Sequence, residues 1–113
     1  MNISLKKVKI MVTIPPEDVS AVRNAICDIG AGVIGNYTHC SMSMKCIGTF
    51  KPNENANPYI GKNGQLEFVE EERLDVICDV NLVKKVINKI REVHPYEEPA
   101  IDIVPLLEES DFN

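Results

Sequence analysis

Lys7-Val8-Lys9-Ile10-Met11-Val12-Thr13-Ile14-Pro15-Pro16-Glu17-Asp18-Val19 decides the fold class, because the periodicity of the chain changes halfway through it. Val8, Ile10, Val12 and Ile14 share one parity and Lys7, Lys9 and Thr13 take the other. That is the alternation of a half-buried strand, and it extends over residues 4–14. Pro15-Pro16 stops it. Val19, Val22, Ile26 and Ile29 then recur at helical spacing, with Glu17 and Asp18 where a helix N-terminus favours negative charge. Residues 16–29 therefore read as an amphipathic helix, and Gly30-Ala31-Gly32 ends it, glycine supplying the left-handed cap.

The same grammar continues outward. After Val33–Tyr37, a second alternating stretch places Thr38, Cys40, Met42, Met44 and Cys46 on one face and His39, Ser41, Ser43 and Lys45 on the other. The spacing predicts a strand whose sulfur-rich face lies on the core. Residues 51–66 carry proline, glycine and asparagine throughout and read as a long irregular connection between the second and third strands. A third strand is expected from Glu67 to Val80, with Phe68, Leu74, Val76, Cys78 and Val80 of one parity and an acidic first half that projects as a hairpin arm. Asn81 is placed to cap a second helix with an apolar stripe of Leu82, Val83, Val86, Ile87 and Ile90. Pro95 ends that helix, and Ile101–Val104 supplies a last short strand. The order βαββαβ predicts an α+β, ferredoxin-like sandwich, an antiparallel sheet with two helices on one face. The chain reads as a single domain over 1–113, with 108–113 a frayed tail.

Composition narrows the function classes. A net charge of −5 argues against nucleic acid, whose phosphates require clustered Lys and Arg; Lys6-Lys7-Lys9 is too short a basic run. No run approaches a membrane span, and Met1–Lys7 lacks the apolar stretch of a signal peptide, so the expected compartment is the cytoplasm. Cys27, Cys40, Cys46 and Cys78 form no Cys-x-x-Cys pair and read as reduced thiols.

Chemistry concentrates in His94-Pro95-Tyr96-Glu97-Glu98-Pro99. A histidine, a phenol and two carboxylates stand between stiffening prolines, as a ligand or metal site requires. The alternative is a helix-ending turn in which His94 bonds the last helix carbonyls and Tyr96 packs on the sheet. His39 and Cys40 are adjacent, so on a strand they face opposite ways. The Cys40, Met42, Met44, Cys46 row suits copper(I) chemically, but sulfur side chains of this kind are ordinary core fillers. Gly30-Ala31-Gly32 with Gly35 follows a helix rather than opening one, the wrong order for a phosphate loop. No nucleophile–base arrangement is visible, so an enzyme acting alone ranks last among the readings.

The blocks Gly30–Ser41, Gly48–Pro52, Ala56–Gly61 and His94–Ala100, in that order, resemble the YqfO-like (PII/CutA-like) domain of the Nif-three-like family, the GTP cyclohydrolase I type 2 homologues, here as a free-standing protein. Glu54-Asn55 departs from the glycine-containing loop expected before Ala56. The resemblance implies a PII-like ferredoxin fold, a homotrimer, and clefts that bring residues 51–66, Gly35-Asn36-Tyr37 and His94–Glu98 near one another. It implies a small-ligand or divalent-metal binding module, with zinc or copper as the metal and His94, Glu97 and Glu98 as its ligands. Tyr37, His39, Tyr96, Glu97 and Glu98 are the candidate small-molecule contacts. The dinuclear metal centre of the longer relatives is built by flanking halves that this sequence lacks. A structural role, docking onto a Nif-three-like hydrolase, is the alternative.

Overall fold

The computed structural model describes residues 4–112; the Met1–Ile3 part of the N-terminal reading and the final tail residue, Asn113, fall outside them. Four strands and two principal helices follow in the order β1 (Lys7–Ile14), α1 (Val19–Asp28), β2 (Met42–Phe50), β3 (Glu67–Asp79), α2 (Val83–Val93) and β4 (Ile101–Leu106). The sheet is four-stranded in the order β2-β3-β1-β4, and every pairing is antiparallel. Each βαβ half therefore crosses over one strand, which interleaves the halves and yields the expected ferredoxin-like sandwich.

Directly opposed residues of an antiparallel pair lie on one face, so the register assigns every side chain. Val8, Ile10 and Val12 stand opposite Cys78, Val76 and Leu74, and this set is buried beneath the helices. Val22 and Ile26 of α1 and Val86 and Ile90 of α2 meet it with no exposure at all. Burial of each such side chain stabilises the fold by about 1.5–3 kcal/mol, which makes this seam the main source of its stability.

Two local expectations need correction. First, β2 begins at Met42, and its sulfur row does not face the core: Met42, Met44 and Cys46 oppose Asp75, Arg73 and Glu71, on the open face of the sheet. Met42 is 63% exposed. Period-two alternation identifies a two-faced strand but not which face meets the helices, and here the helix-side face of β2 is the polar one. Second, Asn81 does not cap α2; a 3-10 turn, Val80–Leu82, leads into it and Leu82 occupies the cap position without a side-chain hydrogen bond. Pro16–Asp18 likewise forms a 3-10 turn ahead of α1. In the tail, Glu109–Asp111 make a 3-10 turn, and Asp111, 6% exposed, accepts the Glu108 N–H at 2.7 Å.

Strand β3 pairs with β1 only from Glu72 onward, while Glu67–Glu71 pair with β2 alone. The β2–β3 hairpin therefore projects as an arm, and the molecule extends 52 × 27 × 23 Å. No helix of the described residues is long and apolar enough to cross a membrane.

Candidate functional site

Where the arm leaves the body, α2 ends and the chain turns back over the sheet. Val93 is the last helical residue; His94 is extended (φ −77°, ψ 136°), the geometry favoured before a proline. His94 is 6% exposed; its backbone N–H donates to the Ile90 carbonyl at 2.8 Å, while its imidazole turns away from the helix end. Its Nε2–H donates to the Thr13 carbonyl at 2.8 Å, and its Nδ1 accepts the Tyr96 N–H at 3.1 Å. A carbonyl only accepts and an amide N–H only donates, so these partners fix the neutral Nε2–H tautomer. Burial, opposed more weakly by the Thr13 hydrogen bond and by Asp18 and Glu71, holds the imidazole below its ordinary pKa of 6.5.

Held in this way, the turn delivers Tyr96 across the end of β1. Its ring lies 4.8 Å from the His94 ring and 6.2 Å from that of Tyr59. Its hydroxyl donates to Glu71 Oε2 at 2.9 Å, and burial together with that carboxylate raises the phenol well above its usual pKa. Glu71 is the buried carboxylate of the site, at 6% exposure. It fits only because position 48 on the facing strand is glycine: a Cβ there would overlap the Glu71 carboxylate.

The connection 51–66 roofs this floor. Glu97 accepts the backbone N–H of Asn57 at 2.9 Å, and Gly64 N–H donates to the Pro52 carbonyl at 2.7 Å, closing the loop on itself. Between roof and floor lies a cavity of about 400 Å³. Phe50, Pro58, Tyr59 and Ile60 supply apolar walls, while Thr13, Lys51, Glu71 and Tyr96–Glu98 supply the polar groups. The volume falls within the usual range of small-molecule pockets.

The sequence-derived candidates divide. Tyr96, Glu97 and Glu98 line the cavity. Glu98 is at the rim, 3.5 Å from Arg91 in an exposed ion pair. Tyr37 and His39 are elsewhere within the chain: they precede Met42 at one end of β2, and the cavity opens at the other, about 20 Å along the strand. Within one chain, the 51–66 loop and the His94–Glu98 turn adjoin. Tyr37 is 74% exposed. His39 adopts a left-handed φ of 58° and pairs with Asp28 at 2.9 Å. The metal set is not assembled either. Both His94 nitrogens are engaged inside the protein, and among the described residues no group of three His, Cys, Asp or Glu side chains is arranged to hold a metal ion.

Glu71, Gly48, Tyr59 and Thr13 were not singled out from the sequence. Gly48 and Tyr59 nevertheless fall inside two of the four blocks that carried the resemblance, Gly48–Pro52 and Ala56–Gly61, and that was the available signal.

No family model matches the sequence. Curated relatives do. The chain is 46% identical over 103 residues to the GTP cyclohydrolase 1 type 2 homolog of Halalkalibacterium halodurans, spanning 91% of this chain and 28% of that protein. It is 46% identical over 98 residues to that of Bacillus subtilis, spanning 87% and 26%. The chain thus spans about a quarter of the length of the curated relatives it matches. Among solved structures, a Bacillus cereus protein related to NIF3 superposes with a TM-score of 0.81 at 41% identity, over 95% of this chain and 27% of that one. The periplasmic divalent cation tolerance protein CutA of Archaeoglobus fulgidus superposes with a TM-score of 0.68 at 16% identity, over 90% and 85%, a likeness of fold.

Proposed function

We propose that this chain, a relative of one segment of the Nif-three-like GTP cyclohydrolase 1 type 2 homologues with a CutA-like fold, is a small-ligand-binding regulatory module that works as a homotrimer. The observation that carries the ligand reading is the cavity itself. Its floor is a buried carboxylate–phenol pair braced by His94, and its roof is a loop pinned through Glu97. An arm of this kind can report occupancy, because a ligand that touches roof and floor together stiffens a projecting element. The oligomer reading rests on the open face of the sheet, where Met42 and Met44 on one edge strand and Val104 on the other lie exposed.

The test is titration of the isolated protein with small-molecule libraries, followed by NMR shifts of Tyr59, Tyr96 and Gly48. Saturable shifts at these residues support the module; a library that perturbs none of them sinks it.

Zinc or copper is a weaker reading, prompted by the divalent cation tolerance named for the Archaeoglobus protein. Glu97 and Glu98 would supply carboxylate oxygens at the mouth, but His94 would have to surrender the Thr13 or the Tyr96 hydrogen bond to join them. Calorimetric titration with both metals, repeated on His94→Ala, decides it: no heat removes the metal. Docking onto a Nif-three-like hydrolase is the structural alternative, since the curated relatives carry this segment within a much longer chain. Co-purification with such a hydrolase, together with an unresponsive cavity, would favour it.

A further inference from the structure

The cavity has a sign. Three carboxylates, Glu71, Glu97 and Glu98, stand against one ammonium, Lys51, among its lining groups. The decisive member is Glu71. It is 6% exposed, its Oε2 is satisfied by Tyr96, and among the described residues no donor meets Oε1, which lies over Gly48 in the cavity wall. Oε1 is not sealed from solvent; it opens on the cavity and keeps acceptor capacity that a cationic donor can use. Beside it, the rings of Tyr59 and Tyr96, tilted by 52°, offer faces that attract a cation within about 6 Å of a centroid.

Resting on the ligand reading above, we infer that the cavity selects an organic cation, a protonated amine attached to a flat apolar body. The ammonium pairs with Glu71 Oε1, and the body lies between Tyr59, Phe50 and Pro58. Polyphosphate ligands are disfavoured by the same groups, because even with Glu98 paired to Arg91 at the rim, Glu71 and Glu97 stand against Lys51 alone. No bond is made or broken; this is recognition alone.

The probes are benzylamine, benzoate and ATP, added to the full chain at low ionic strength and followed by NMR. Benzylamine and benzoate share a ring and differ in charge, so the comparison holds on the wild-type protein without any variant. Benzylamine is expected to shift Gly48, Tyr59 and Tyr96 saturably and benzoate at least tenfold more weakly. Glu71→Gln should weaken benzylamine at least tenfold. Tighter binding of benzoate or ATP at these residues, or benzylamine binding unchanged in Glu71→Gln, overturns the cation inference and leaves the ligand cavity standing. No shift with any of the three overturns both.

Discussion

Tyr96→Phe isolates the hydrogen bond on which the floor of the cavity depends. The substitution removes one oxygen and leaves the ring, its packing on His94 and the backbone bond from Tyr96 N–H in place. What it strips is the donor to Glu71 Oε2, a carboxylate oxygen of a residue 6% exposed. A hydrogen bond to a charged group is worth about 1.5–3 kcal/mol. The adjoining cavity can admit water to that oxygen, which puts the cost near the lower end, about 1.5–2 kcal/mol. For a domain of this size that corresponds to a fall in Tm of roughly 6–10 °C. Urea unfolding at fixed protein concentration measures it, with the m-value unchanged. Repeating the substitution in a Glu71→Gln background sharpens the test: with a neutral acceptor the same change should cost about 1 kcal/mol less. A cost below about 0.5 kcal/mol, or equal costs in both backgrounds, would refute the view that Tyr96 satisfies a buried carboxylate.

Other outcomes follow from the same geometry. Lowering the pH should destabilise the fold through His94. Its folded pKa lies below the unfolded value of 6.5, so the unfolded chain takes up the proton first. Stability present above about 6.5 is lost on acidification at up to about 1.4 kcal/mol per pH unit. His94→Gln should flatten that slope in urea midpoints measured from pH 7.5 to 5. Gly48→Ala should displace the Glu71 carboxylate and break its bond with Tyr96, costing about 1.5–3 kcal/mol and abolishing any benzylamine shifts. A fully stable variant with an intact Tyr96 hydroxyl signal would contradict the close packing. Ile90→Ala, at a site with no exposure, should cost about 2–5 kcal/mol in the same urea assay, far more than Lys84→Ala on the exposed side of α2. If the proposed homotrimer forms through this face, Met44→Glu should leave the fold intact but yield a monomer by light scattering. A variant that remains oligomeric removes the open face of the sheet as the interface.

How far the sequence carries the fold depends on what each segment's pattern encodes. For β1, α1 and α2 it encodes everything needed, because a stripe of Val8, Ile10, Val12, Ile14 or of Val86, Ile90 has only one large apolar surface to meet. Strand β2 is different. Its apolar parity is real, but the partner for that parity is the open face, set by pairing with Arg73 and Asp75 across the ladder. Register across strands is a long-range quantity, and no local period reports it. The same distinction separates the site residues. His94, Tyr96, Glu97 and Glu98 are legible because two prolines and a helix end compress them into six positions. Glu71 is not, because in sequence it is one of several glutamates on an acidic arm. What singles it out is a tyrosine arriving from 25 residues away and a glycine on the facing strand that leaves it room. That also explains why His94 changes role. Read alone it is a titratable group free to bind; folded, it spends both nitrogens aligning Thr13 with Tyr96. The group left with unspent capacity is the buried carboxylate it helps to position, and the chemistry of the site therefore turns on Glu71 rather than on the histidine.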